Sequence, residues 1–408
     1  MVILAGEISA TKTKLALFTH KYDSALDRVV VDERILLKEF NTLNYLDPEL
    51  ENIIRLENII EEFCKQHYNR NEHGHIYCVC LGVPAQVTEG SCEIQRSEKI
   101  MPLTEDACRE KLPVPYRDIE VLPVKLINDM VAHGSRIVKS SKNDLEVLFA
   151  EKNESKLLTN RHSIMLVSDG LGNSLWQEDE EQKNPSYTSF EKGHERFAPQ
   201  TDEEWELTKY IKGKIKEELE RSSDKKNKPI PLDQIKVRFE NVLSRQGLVR
   251  IYQFLKEGKK YGEGLPELTT ENIEKNIDKA TTIANFVENI IGKALPSNES
   301  QKPEPLCLAS LEMMLKIWGR RAGDLAMGDE AEIISVGGIS VDMEKLKDGI
   351  FVEAFLEKNI ENSRNYKHNK DVSLQVFPEE NSVLLGAAQY IAEDVPTGKF
   401  ALMEMEIE

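Results

Sequence analysis

The sequence predicts an α/β protein of two domains with mixed sheets, and three observations carry that prediction. A chain of 408 residues is long enough to bury two cores. Its first third reads as three short strands, a helix, a continuously apolar strand, a helix and another strand, the pattern of a mixed sheet covered by helices. A second set of strands then opens near Ser163, with helices and further strands after it.

Taken in order, residues 2–5 and 14–18 predict two strands around a polar turn and residues 28–37 a third, so the chain opens as a β-meander. Ile53, Ile54, Leu56, Ile59, Ile60 and Phe63 recur at helical spacing and predict a helix over 50–68. The apolar run 76–83 is that of a strand buried on both faces. A helix around 104–111 and a strand over 121–127 follow, with Asn128-Asp129 at the strand's end and a helix over 130–139 beyond. Residues 140–160 are largely polar and predict a surface loop with a partial strand, before strands resume at 163–167. From 202 to 295 the pattern is helical, interrupted at 221–228 by the charge-rich RSSDKKNK. A long helix over 306–327, a strand over 332–336 leading into Gly337-Gly338, a helix over 344–357, a strand over 372–377 and a helix over 383–392 complete the chain.

Lys plus Arg total 53 against 71 Asp plus Glu, a net charge of −18. So acidic a balance argues against non-specific binding to nucleic acid or an anionic membrane. No apolar run approaches the length of a membrane span. Glu7 interrupts the first apolar stretch and no basic segment precedes it, so a signal peptide is not expected. Cys64, Cys78, Cys80, Cys92, Cys108 and Cys307 match no common zinc spacing. They are expected to be reduced core residues of a cytoplasmic protein. His73, His75, His133 and His162 show no metal-ligand spacing, and no metal site is expected among the protein's own side chains. A Walker-type loop and a G-x-S-x-G serine motif are both absent from the sequence.

Several short motifs bear chemistry, each with a plainer alternative. Asn128-Asp129 ends a buried strand, where open α/β sheets place ligands, and a carboxylate there can take a proton from a hydroxyl. The same pair also suits a helix N-cap. Glu191 and His194, in EKGHERFAP, could converge on a polyol or lie in a solvated loop. Glu240, in RFENVLSRQG, is equally a binding group or an ordinary surface residue. The turns Gly6-Glu7-Ile8-Ser9-Ala10-Thr11, Ser168-Asp169-Gly170-Leu171-Gly172 and Val336-Gly337-Gly338-Ile339 either offer backbone amides to phosphate or simply reverse the chain.

In their order along the chain these pieces resemble the bacterial glucokinase family, a branch of the actin-like and hexokinase-like ATPases. GEISATKTKLALF resembles G-D-I-G-G-T-K-T, LINDMVAHG the L-N-D segment, and EKGHERFAP the pattern E-G-G-H-x-x-F-A-P. FENVLSRQGLVRIYQFL is similar to E-R-V-L-S-G-P-G-L-x-N-I-Y, SVGGI to A-G-G-I, and NSVLLGAAQYI to G-L-L-G-A-A-x-Y. The resemblance implies a two-domain actin-like ATPase (ribonuclease H-like) fold with mixed sheets and a central cleft. Residues 1–136 plus 388–408 would form the small domain and 137–387 the large one. It implies glucose and ATP as substrates with Mg²⁺, phosphorylation of the sugar's 6-hydroxyl, and a homodimer.

Carried over by position, Asn128, Asp129, Glu191, His194 and Glu240 are the hexose-binding residues, with Asp129 the general base. Glu7, Ser9, Ala10, Thr11, Lys12, Asp169, Gly170, Gly337 and Gly338 stand at the nucleotide-binding positions. Four departures fall on the phosphate side. Glu7 replaces Asp, and Ser9-Ala10 replace two glycines whose freedom of φ the family's turn uses. Ser244-Arg245-Gln246-Gly247 replaces S-G-P-G, and Asp169 replaces a phosphate-facing threonine. Two unit charges 4 Å apart interact by about 4 kcal/mol at an effective dielectric of 20, so Asp169 is expected to repel phosphate unless Mg²⁺ or Lys12 offsets it. Ile94-Gln95 stands where the family has T-N. Two readings result: a working glucokinase, or a weak or inactive homologue that senses sugar. Repressors built on a related kinase fold carry a DNA-binding module before the sheet, and a sheet starting at Val2 is expected to leave no place for one.

Overall fold

The structure, a computed structural model, describes residues 1–23, 28–96, 99–113, 122–138, 145–150, 161–178, 186–222, 231–261, 279–297, 300–339, 349–357, 363–377 and 381–394. The chain divides into two units. One comprises Met1–Ser141, Tyr187–Ser189 and Pro378–Glu408, and the other Lys142–Ser186 and Phe190–Phe377.

The first unit contains β1 (Val2–Ile8), β2 (Lys12–Asp23), β3 (Arg28–Asn41), α1 (Glu57–Gln66), α2 (Arg70–His73), β4 (Ile76–Val83), β5 (Ser91–Arg96), β6 (Lys99–Thr104), α3 (Glu105–Glu110), β7 (Val124–Asn128) and α4 (Asp129–Val138). Five of these strands form one sheet in the order β3-β2-β1-β4-β7. The meander β1–β3 is antiparallel, while β1, β4 and β7 run parallel. All eight residues of β4 are buried, as its unbroken apolar run requires. Ile59, Ile60 and Phe63 of α1 share the same core with Val383, Leu384, Ala387 and Ile391 of the C-terminal helix (Ser382–Asp394). Buried His133 of α4 shares a 3.0 Å hydrogen bond with Ser382 of that helix.

Two segments depart from expectation. The helix predicted from residue 50 begins at Glu57, because Ile53 and Ile54 instead make isolated bridges with Ile100 and Leu46. Residues 91–96 and 99–104 pair as antiparallel strands that the periodicity had not suggested, with Ile94, Met101 and Leu103 buried. Ile94 is thereby a core side chain.

The second unit holds β8 (Glu146–Phe149), β9 (Arg161–Val167), β10 (Leu171–Gln177), part of β11 (Ser186–Phe190), α5 (Asp202–Ser222), α6 (Arg245–Glu257), α7 (Lys279–Ala294), α8 (Pro305–Gly328), β12 (Ile333–Gly338), α9 (Ile350–Leu356), α10 (Arg364–Asn369) and β13 (Ser373–Val376). Its strands lie in the order β10-β9-β12-β13-β8. Here too an antiparallel pair, β9–β10, precedes parallel partners, β12 and β13. Helix α8 starts at Pro305, whose missing N–H costs nothing at this position, and the Glu304 carboxylate caps it by accepting from Cys307 N at 2.6 Å. Its Trp318 meets Phe351 of α9 edge-on at 5.4 Å. The partial strand expected within 140–160 is β8; residues 140–144 and 151–160, residues 223–228 of the charge-rich 221–228 segment and residues 344–348 of the expected 344–357 helix lie outside the described residues, while residues 221 and 222 end α5.

The six cysteines are free thiols, all buried except the half-buried Cys92. Burial pushes the Cys64 thiol up to about 12 and that of Cys92 to about 11, so both stay protonated near neutrality. Among the described residues no helix is long and apolar enough to cross a membrane.

Candidate active site

In the first unit the candidate residues gather at the carboxyl edge of the parallel strands. Glu7 pairs with Gly82 across β1 and β4, and Val83 with Asn128 across β4 and β7, so both polar residues sit at strand ends on one edge. Asn128 donates from Nδ2 to Ala85 O at 3.1 Å, and its Oδ1 accepts from Met130 N at 2.9 Å. Asp129 opens α4, and its Oδ1 accepts from the same N–H at 2.8 Å. Two side-chain oxygens thus share one donor at the positive end of a helix dipole. The cap and site readings of this pair are not exclusive: Asn128 closes the turn, and its neighbour's carboxylate is fixed in direction by it.

The turn from β1 to β2 is closed without glycine. Ser9 Oγ donates to Lys12 O at 2.6 Å and accepts from Lys12 N at 3.1 Å. Thr42 Oγ1 donates to Ser9 O at 2.9 Å, and Thr42 N bonds Thr11 O at 3.0 Å. Neither Ser9 nor Ala10 adopts a positive φ, so the replaced glycines are not required here by backbone conformation. Lys14 Nζ lies 3.1 Å from the Glu7 carboxylate, and Lys12 Nζ lies 2.7 Å from Glu39, whose carboxyl it pulls below the usual range.

In the second unit the sugar-motif residues do come together. Glu191 leads into a short 3-10 turn, Lys192–His194. His194 Nε2 is 3.2 Å from Glu240 Oε2, and its Nδ1 is 3.6 Å from Glu191 Oε2, so the imidazole faces a carboxylate from each ring nitrogen. Arg238 Nη1 stands 3.5 Å from the other Glu240 oxygen. The half-exposed His194 and exposed Glu191 present acceptors and donors outward, as a polyol needs.

This turn is anchored from behind by charges that no sequence motif had marked. Lys192 Nζ meets Asp329, which is 5% exposed and also accepts from Ser163 Oγ at 2.7 Å. Buried Arg321 bonds Glu195 Oε2 at 2.5 Å and Lys192 O at 3.2 Å, while its guanidinium lies 4.1 Å from the centre of the Phe239 ring. Gly193 packs so closely that an added Cβ would stand 2.4 Å from Leu171 O. Only a glycine fits between the sugar turn and the hairpin that follows β9.

That hairpin is the second candidate phosphate turn. Ser168 N bonds Gly170 O at 2.9 Å, and Arg245 N bonds Ser168 O at 2.8 Å. Gly337 and Gly338 pair with Leu166 and Val167, which places them beside it at the carboxyl edge of β9 and β12. Gly338 has φ +118° and a Cβ there would stand 1.8 Å from Val167 O, so glycine is obligatory. Asp169 is 76% exposed, and its Oδ1 accepts from Arg245 Nη1 at 3.1 Å. Arg245, in the same unit, supplies Asp169 with a counter-charge that the sequence motifs had not indicated.

A family model described as Glucokinase matches residues 4–394. The glucokinase of Trichormus variabilis (strain ATCC 29413 / PCC 7937) is 24% identical over 351 residues, covering 83% of each protein. Among solved structures, a glucokinase from an Antarctic psychrotroph superimposes with a TM-score of 0.62 at 19% identity, over 95% of this chain and 98% of that one. A Balamuthia mandrillaris glucokinase in complex with glucose gives 0.62 at 15% identity, over 96% and 93%. These likenesses show the fold, that of the actin-like sugar kinases. With the family model spanning nearly the whole of the sequence, the chain belongs to the glucokinase family.

Proposed function

We propose that this chain transfers the γ-phosphoryl group of ATP to the 6-hydroxyl of glucose, with Asp129 as general base. The observation that carries the reading is Asp129 itself, a carboxylate oriented at the carboxyl end of a buried parallel strand by the same N–H that Asn128 engages. As the 6-oxygen attacks the γ-phosphorus, Asp129 takes its proton, a role worth about 10²–10⁴-fold in rate. Asn128, Glu191, His194 and Glu240 hydrogen-bond the remaining hydroxyls and hold the nucleophile in line, which is most of what phosphoryl transfer asks of a protein.

Glu7, Ser9, Ala10, Thr11, Lys12, Asp169, Gly170, Gly337 and Gly338 are the nucleotide-binding residues in this reading. Mg²⁺ binds through one or two carboxylates and phosphate oxygens while keeping several waters, and the Glu7 carboxylate, steadied by Lys14, suits that donor set. When bound, the ion neutralises charge on the phosphates. The reading extends, on the strength of the family alone, to a cytoplasmic homodimer that feeds glycolysis.

The test is a coupled assay of ADP release with glucose and Mg-ATP, run beside Asp129→Asn, with glucose binding followed by calorimetry. The expected result is turnover that falls about 10²–10⁴-fold in the variant while glucose still binds. Glucose binding without turnover above the variant's would leave a sugar sensor in place of an enzyme.

A further inference from the structure

Asp169 and Arg245 are two departures from the family pattern, they carry opposite charges, and they lie 76 residues apart in sequence. Side by side in the fold, they make the hairpin after β9 electrically neutral where either change alone would leave it charged. A carboxylate 76% exposed gains little from a partner for its own sake, since water would solvate it as well. Arg245 is more deeply set, at 27% exposure, and its backbone N–H is tied to Ser168 O, so its guanidinium is held over this turn. A guanidinium carries its N–H donors in a planar fork whose geometry matches carboxylate and phosphate oxygens alike.

We propose that Arg245 is a phosphoryl-donor-binding residue, bridging the Asp169 carboxylate and a phosphate oxygen of the bound nucleotide. Asp169 then serves to aim the guanidinium rather than to touch the donor, and the repulsion expected of its charge is cancelled. The proposal rests on the kinase reading above and adds to it a residue that stands where the family has glycine.

The test is a double-mutant cycle of Asp169→Asn, Arg245→Gln and the pair, with Arg245→Lys as the conservative variant. Mg-ADP and Mg-ATP affinities are measured on the full chain with glucose saturating, together with kcat, the KM values for both substrates and melting temperature. Arg245→Gln leaves Asp169 facing phosphate unneutralised, and is expected to raise the nucleotide Kd and KM about tenfold or more. The glucose KM and melting temperature should hardly move, and kcat should change less than the nucleotide KM. Asp169→Asn loosens the aim of the guanidinium but leaves an amide oxygen that can still accept from it, so it should weaken nucleotide binding by less than Arg245→Gln does, and the double variant should bind more tightly than Arg245→Gln. Arg245→Lys should recover part of the loss. Nucleotide affinity unchanged in Arg245→Gln, or effects that simply add, would overturn this proposal and leave the kinase reading standing. A wild-type protein that binds glucose but no nucleotide would overturn both.

Discussion

Two hairpin turns occupy like places in the two sheets, one after β1 and one after β9, each at the start of a strand pair that continues into parallel strands. They are secured by different physics. The first is neutral and local: a serine hydroxyl, a threonine hydroxyl and backbone groups close it within a few residues or across to Thr42. The second is charged and long-range, with Arg245 supplying both a backbone donor and a guanidinium from a helix far along the chain. Close packing by Gly193 and Gly338 adds a steric constraint on this side. A glycine-rich turn can therefore lose its glycines where φ stays negative, and can gain a carboxylate where a cation comes with it.

The comparison can be broken most severely at Gly338. Gly338→Ala places a Cβ against Val167 O at a positive φ, and should cost about 4 kcal/mol or more in a denaturant titration. A change under about 1 kcal/mol would show that the second turn has the backbone latitude of the first. Asp329→Ala comes next. It strands Lys192 beneath the sugar turn and should cost about 3–5 kcal/mol, whereas Lys192→Met together with Asp329→Leu should recover much of that loss. Equal loss in the single and double variants would mean that packing, not charge, anchors the turn.

Acid should affect both units alike. Burial lowers the pKa of His133 in the first unit to about 4 and that of His162 in the second to about 3, both from 6.5. An unfolded histidine therefore binds protons that the folded one refuses, and unfolding gains ground as pH falls. Stability present above pH 6.5 should decline between 6.5 and about 4 as the unfolded state protonates, by on the order of 3 kcal/mol for His133. Denaturant midpoints flat across that window would contradict the buried neutral histidines. The smallest effect should come from Ser9→Ala, which removes two hydrogen bonds at an exposed turn and should cost about 1 kcal/mol. A larger loss would mean that the first turn also relies on one irreplaceable residue.

Where local pattern decides structure, the sequence was readable. The unbroken apolar run of β4 announces a central strand, and the long helix expected over 306–327 is α8. Reading failed where an apolar residue serves something other than its own element's period. Ile53 and Ile54 extend a helical spacing but pair as bridges, and the alternation of Cys92 with Ile94 and of Met101 with Leu103 was a strand signal too short to stand out. The candidate site was legible as motifs only. Glu191, His194 and Glu240 could be named from the sequence, but their supports could not. Asp329 meets Lys192 from 137 residues away and Arg321 meets Glu195 from 126, with no spacing to link either pair.

The seam at Gly193 has one further consequence. At Gly193 the turn Lys192–His194 lies against the backbone carbonyl and Cβ of Leu171, with no room for a side chain on the glycine itself. Side chains absorb displacement by changing rotamer, and a peptide plane does not. A displacement of His194 would therefore be passed through the Gly193 backbone to Leu171, two residues from Asp169. Gly193 is thus a stiff coupling as well as a space-saving residue, and a missing methyl group puts the turn at Lys192–His194 and the hairpin after β9 in mechanical register.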